Sequence, residues 1–291
     1  MESVNIKELN ESIDKRKMRI EEIKNIEIDL LLEAVYLKYG YDFRSYARAS
    51  IKRRIEATLS SFGLNNLSDL QRFILYDENA FNKLLLNLSI NVTEMFRDPD
   101  FYRVVRQKVI PLLKTYPFIK IWHAGCSTGE EVYSLAILLR EEGLTGKFQI
   151  YATDFNELVL KKAKQGIFPL ERIKEYTINY QKAGGLESFA DYYNAHYDHA
   201  KIDESLKKNI VFADHNLATD GAFGEMNLIM CRNVLIYFNR DLQNRAFGLF
   251  YDSLSHFGFL CLGTKEDLNF TQYTSKFEVI APKEKIYRKR G

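Results

Sequence analysis

From Ile26 onward the chain places apolar residues at helical spacing, with Ile28, Leu31, Leu32 and Val35 on one face of a first helix that ends near Gly40. Ser45 to Phe62 reads as a second helix with Gly63 just past its end. Ser68 followed by Gln71 is a capping-box pattern opening a third, and Phe81 to Leu88 forms a fourth. Residues 1 to about 25 alternate charge without a wide apolar stripe and read as a frayed or solvated helix. Asp98-Pro99 reads as an N-cap with proline at the first helical position, starting a helix through Lys114.

Beyond that point strand and helix patterns alternate, as a parallel sheet requires. Strands are expected at 119–124, 148–153, 209–213, 226–231 and 257–263, and a closing pair near 276–287 reads as an antiparallel hairpin at the sheet edge. The expected fold is therefore α/β, a doubly wound and mostly parallel sheet, preceded by a small all-helical domain. The expected organisation is a charged extension over 1–25, the helical domain over 26–90, a linker over 91–98 and the α/β domain over 99–291. Tyr176 to Lys208, aromatic and containing Gly184-Gly185, is too long for a plain connection and reads as an insertion.

Between the first two strands lies Gly125-Cys126-Ser127-Thr128-Gly129-Glu130. It is a tight glycine turn running into an amphipathic helix in which Val132, Leu135, Ala136 and Leu139 share a face. Such a turn lets backbone approach a ligand while helix N–H groups point at it, and it also occurs as a plain βα connection. The second strand ends in Asp154, where nucleotide-binding βαβ units place the acid that bonds a ribose diol; a cap on the helix starting at Asn156 is the competing role. Neither GxGxxG nor GxxxxGK[ST] is present. With no basic residue inside the turn and acids directly after it, pyrophosphate is a poor guest and a nucleoside carrying a cationic centre a good one. S-adenosylmethionine is such a molecule.

Composition narrows the classes. The 291 residues, 46% hydrophobic and 27% charged, suit one large or two moderate soluble domains. No apolar run reaches the roughly 20 residues of a membrane span and no secretory core opens the chain, so a cytoplasmic location without membrane insertion is expected. Cys126, Cys231 and Cys261 stand far apart without a CxxC, which suggests neither a disulfide framework nor a metal site. The net charge of +2 says little about partners.

Two further segments combine polar and apolar groups. In Ser89-Ile90-Asn91-Val92-Thr93-Glu94-Met95-Phe96-Arg97, residues 91, 93 and 97 either offer hydrogen bonds to a ligand or satisfy their own loop. The apolar run 226–231 leads into Arg232-Asn233-Val234-Leu235-Ile236-Tyr237-Phe238. Ligands of open α/β sheets sit at the carboxyl ends of strands, which puts Asn233, Tyr237 and Asn216-Leu217 in reach, with packing as the alternative for Tyr237.

Taken in order, NVTEMFRD, AGCSTGEEVYSLA, YATDFN, the HNL after the third strand and CRNVLIYF resemble the CheR-type chemotaxis receptor methyltransferases over nearly all of the chain from about residue 27. The resemblance implies a class I methyltransferase-like fold and methyl transfer from S-adenosylmethionine, leaving S-adenosylhomocysteine, to glutamates on the cytoplasmic helices of chemoreceptors. Carried over by position, cofactor contacts fall on Asn91, Thr93, Arg97, Gly125, one of Glu130 and Glu131, Asp154, Asn216, Leu217, Asn233 and Val234; Arg97 and Tyr237 match the reaction centre. Gly263-Thr264-Lys265-Glu266-Asp267 departs from the histidine-serine-glutamate-asparagine run of many members, which puts contacts from that loop in doubt. The insertion stands where the family carries a β-subdomain, yet no three-strand alternation is legible in it, so tethering through a receptor pentapeptide is not implied.

A glutamate carboxylate is already a competent nucleophile at neutral pH, so no catalytic His or Cys is required, and alignment in a dry site becomes the main contribution of the protein. Arg97 would orient the carboxylate; Tyr237 would donate to it or shape the methyl pocket. Arg44, Arg48 and Lys52, at i, i+4 and i+8 with Arg53 and Arg54 beside them, form a basic face opposed nearby only by Asp42 and Glu56. Receptor docking and simple solvation compete for that face, and nucleic acid is not the expected partner. The alternatives to receptor methylation are transfer to another acceptor and a non-catalytic module that binds the cofactor.

Overall fold

The structure, a computed structural model, describes residues 6–89, 93–269 and 271–291, with side chains from residue 14. The chain divides into two compact units, residues 1–90 and 91–291. No described helix is long and apolar enough to cross a membrane.

The first unit is four helices: α1 (Ile6–Tyr39), α2 (Arg48–Ser61), α3 (Leu67–Tyr76) and α4 (Glu78–Leu88). The expected face of α1 is its buried one, with Ile28, Leu31, Leu32 and Val35 in the core. The helix passes through residue 25 without a break, and its earlier described side chains are largely exposed. α2 begins at Arg48 rather than Ser45, because the Ala47 backbone is not helical (φ −59°, ψ 115°). α3 is capped two residues earlier than expected: Asn66, not Ser68, accepts the Asp69 N–H at 2.8 Å and donates back to its carboxylate at 2.8 Å.

In the second unit α5 (Pro99–Val104) runs through a π-helical stretch, Val105–Val109, into α6 (Ile110–Leu113). Pro111 lies just past the widened turn, where its ring and missing N–H oppose an ordinary i−4 bond. Asp98 is not the side-chain cap expected of it. Its backbone is left-handed at φ 55° and its carboxylate bonds Arg232 instead.

The main sheet then follows with β1 (Ile119–Ala124), α7 (Glu130–Glu141), β2 (Phe148–Asp154) and α8 (Glu157–Gln165). Next come β3 (Ile167–Pro169), α9 (Leu170–Lys182), β4 (Tyr193–His196), β5 (His199–Ile202) and α10 (Glu204–Lys207). The chain closes with β6 (Ile210–Asp214), β7 (Met226–Cys231), α11 (Arg240–Ser253), β8 (Leu254–Leu262), β9 (Phe277–Ala281) and β10 (Ile286–Lys289). The seven-stranded sheet has the order β6-β2-β1-β7-β8-β10-β9. β6, β2, β1, β7 and β8 are parallel, and the β9–β10 hairpin closes the edge antiparallel, as expected. Successive residues of β1 and β7 are buried, so both faces of the sheet are covered. Strand order reverses about β1 and β7, which makes their carboxyl ends the natural crevice for a ligand.

The insertion corrects the sequence reading. β3, β5 and β4 form a separate three-stranded antiparallel sheet that starts before residue 176, and much of its connection is the helix α9. The strands are three or four residues long; β5 alternates in burial through Ala200 and Ile202, β3 buries Phe168 alone, and β4 does not alternate. A period of two cannot declare itself over so few residues. The argument against a β-subdomain therefore falls.

Candidate functional site

Parallel pairing brings the ends of β1, β2, β6 and β7 to one edge. Ala124 pairs with Thr153, and Asp154 with Asp214, so the 125–130 turn and the Asp154 loop are neighbours. Gly125 (φ 75°) and Gly129 (φ 93°) are both left-handed, and a Cβ on Gly125 would meet Val234 Cγ2 at 2.4 Å. Glycine here is what allows the first turn and the segment after β7 to close on each other.

Asp154 is buried and joins the two loops: its carboxylate accepts the N–H of Ser127 at 2.9 Å and of Asn156 at 3.1 Å. The cap of α8 is Asn156, whose side chain accepts the Leu158 N–H at 2.9 Å. Burial pushes the Asp154 carboxyl up to about 6, against the pull of those backbone bonds.

The two glutamates that open α7 are separated by their partners. Glu131 bonds the buried Arg232 guanidinium and lies 3.6 Å from His123 Nε2. Burial is the largest influence and opposes its charge, but Arg232, His123 and Arg97 together outweigh it, and its carboxyl sits below the usual range. Glu130 accepts the Thr128 hydroxyl at 2.7 Å, and burial pushes it up to about 7. Of the expected pair, Glu130 is thus the one left for a ligand, and Glu131 belongs to the fold.

After β7, Asn233 is left-handed at φ 60°, and its Oδ1 is buried with no hydrogen-bond partner among the described residues. The segment is held by Glu266: its carboxylate accepts the backbone N–H of Asn233 (3.0 Å), Val234 (2.8 Å), Leu235 (2.7 Å), Ile236 (3.4 Å) and Gly263 (2.6 Å). The stretch that departs from the family pattern therefore contains a residue that shapes the site. Tyr237, half-buried, ends the short 3-10 turn Leu235–Tyr237 that follows.

Thr93 and Arg97 are half-buried, and Arg97 stands in the turn that precedes α5. Asn216 folds into a local turn, its Oδ1 accepting the Ala218 N–H at 2.9 Å, beside the buried Leu217. Asn91 lies outside the described residues. The sequence reading missed Arg232 and Glu266. Arg232 stands inside the CRNVLIYF motif, where nothing local announces a buried partner, and nothing in sequence distinguishes a carboxylate that accepts backbone N–H groups.

The arrangement suits a cationic nucleoside. Among the described residues, Asp154 and Glu130 are buried carboxylates in no ion pair and Asn233 Oδ1 is an unmet acceptor, each at the carboxyl edge of the sheet. Hydroxyl donors and positive charge are what such groups lack.

On the first unit, the basic face meets more opposition than its own helix suggested. Arg44 bonds Glu33 at 2.9 Å and Asp42 at 2.8 Å, Arg48 bonds Asp29, and Lys52 bonds Glu21. Apart from Asp42, the partners are carboxylates of α1 spaced along one of its sides. Arg54 turns away to the Asn87 carbonyl at 2.8 Å.

Comparison with known proteins agrees with this geometry. Residues 91–286 match the family model of the CheR methyltransferase SAM-binding domain, and residues 26–89 that of the CheR methyltransferase all-alpha domain. The Pseudomonas putida protein Cher3 is 56% identical over 94% of this chain and 100% of its own length. A chemotaxis protein methyltransferase of Listeria innocua is 30% identical over 79% of this chain and 85% of its own. An uncharacterized 104.1 kDa protein of Rhodobacter capsulatus is 30% identical over 89% of this chain, which spans 27% of that larger protein.

Proposed function

The chain belongs to the CheR methyltransferase family, a family of S-adenosylmethionine-dependent methyltransferases, and from that membership we propose that it methylates glutamate side chains on the cytoplasmic domains of chemoreceptors. The observation that carries the cofactor half of this reading is the pair of buried carboxylates, Asp154 and Glu130, at the carboxyl edge of the sheet. When bound, S-adenosylmethionine supplies an electrophilic methyl carbon on a sulfonium.

The other steps belong to the chain. Asp154 and Asn233 are suited to hold ribose and amide donors, Glu130 to offset positive charge, and the Gly125 turn to admit the nucleoside closely. Thr93, Asn216, Leu217 and Val234 supply the walls of this pocket. Arg97 orients the incoming carboxylate, and Tyr237 donates to it or shapes the space around the methyl carbon. No residue has to take a proton from the acceptor, because a glutamate is ionised at neutral pH. That need for alignment rather than base catalysis agrees with the burial of Cys126, Cys231 and Cys261.

Receptor methylation helices rich in glutamate are the partner that the α2 face fits. Docking there exchanges the carboxylates of α1 for those of the receptor, with Arg44, Arg48, Lys52 and Arg53 as contacts; Arg54 supports the helix from within. The test is transfer of radiolabelled methyl to a purified receptor cytoplasmic domain. Base-labile methyl ester on receptor supports the proposal. Ester on another acceptor alone, or cofactor binding without any transfer, contradicts it.

A further inference from the structure

The turn that carries Arg97 is strained. Phe96 has φ 54° and Asp98 φ 55°, the left-handed region that bulky L-residues avoid. Since neither is glycine, neighbours must hold the conformation. Ser134 does so at one end, its Oγ accepting the Phe96 N–H at 2.8 Å while donating to the Glu130 carbonyl at 2.7 Å. At the other end stands Arg232. Its Nη1 donates to the Arg97 carbonyl at 3.3 Å and to the Glu131 carboxylate, its Nη2 to the Asp98 carboxylate at 2.6 Å, and its guanidinium lies 4.1 Å from the Phe101 ring centre.

We infer that Arg232 is a positioning residue for Arg97: through the Arg97 carbonyl and the Asp98 carboxylate it clamps the strained 96–98 turn and thereby sets where the Arg97 guanidinium meets the acceptor. The inference rests on the orienting role given to Arg97 under the proposed function. Its chemistry is specific to arginine. A planar fork reaches three acceptors in fixed directions, whereas a lysine is a point charge on a flexible stem. A buried ion triad also contributes little net stability compared with apolar packing, which leaves geometry as the thing it supplies.

The experiment is a double-mutant cycle on methyl transfer to a purified receptor cytoplasmic domain at saturating cofactor. Arg232→Lys is expected to lower kcat on the order of 10²-fold, with the receptor KM little moved. In an Arg97→Ala background the same change should add less than about 2-fold, because an effect exerted through Arg97 vanishes with it. An equal loss in both backgrounds, or a normal kcat in Arg232→Lys, overturns the clamp. Should Arg232→Lys not fold, Asp98→Asn removes one arm from the half-exposed end of the triad. It should show a smaller kcat loss that again disappears without Arg97, and persistence of that loss overturns the inference. A normal kcat in Arg97→Ala alone overturns the reading of Arg97 itself, and with it the inference, whereas the first two failures leave that reading standing.

Discussion

The Glu266 carboxylate accepts the backbone N–H of Val234 at 2.8 Å, the residue whose side chain packs on Gly125. One buried acid thus fixes the segment after β7 against the turn after β1. Glu266→Ala leaves the N–H groups of residues 233–236 without that acceptor. The expected cost is about 3 kcal/mol of stability, since each unmet buried donor carries a desolvation penalty. Affinity for S-adenosylhomocysteine should fall about tenfold, the equivalent of one good hydrogen bond. Denaturant titration and calorimetry check both; lost stability with unchanged affinity would separate Glu266 from the site.

Burial raises Glu130 to about 7 and Asp154 to about 6. In the ligand-free protein both acids therefore bind protons more tightly than in the unfolded chain, and their contribution to stability is lost as pH rises from the ordinary carboxylate range through those values. A bound cation has the opposite preference. Affinity for S-adenosylmethionine should rise between about pH 5.5 and 8 as the acids ionise, with proton release on binding at the lower end. Glu130→Gln should flatten the upper part of the curve. Calorimetry in buffers of different ionisation enthalpy reads this directly, and a pH-independent affinity would argue that neither acid faces the ligand.

Arg97→Ala should reduce turnover roughly 10²-fold, the scale of lost alignment, and leave the thermal midpoint nearly unchanged. Tyr237→Phe keeps the ring and removes the hydroxyl. A kcat loss there assigns the hydroxyl to the acceptor, and wild-type kinetics assign the ring to shaping the pocket.

The pairs between α1 and α2 give the docking face a two-sided test. Reversing Arg48 and Lys52 to Glu should raise the receptor KM steeply, more so at low salt, where exposed charges are least screened. Neutralising their α1 partners with Glu21→Gln and Asp29→Asn should lower it, because the receptor no longer competes with them. Steady-state kinetics at two ionic strengths suffice. Unchanged KM in both variants leaves the face to solvent.

Legibility in the sequence followed burial. β1 and β7 are apolar on both faces and the α7 stripe of Val132, Leu135, Ala136 and Leu139 lies in the core, so patterning located them and with them the ligand edge. The β3-β5-β4 sheet escaped because its strands are short and mostly exposed. Asp98 carried the signature of a cap, but tertiary charge overrode the local preference once Arg232 was in reach. The opposition to Arg48 and Lys52 comes from residues 19 and 31 positions away, beyond any local window. Motifs marked Glu130 and Glu131 as a pair; only packing against Arg232 tells them apart.

The most direct measurement is a crystal structure grown with S-adenosylhomocysteine. The nucleoside should lie over Gly125, with its ribose hydroxyls on the Asp154 carboxylate and a donor on the Oδ1 of Asn233 that is unmet in the protein alone. A nucleoside bound elsewhere, or an Asn233 Oδ1 still without a partner beside it, would contradict the site described above.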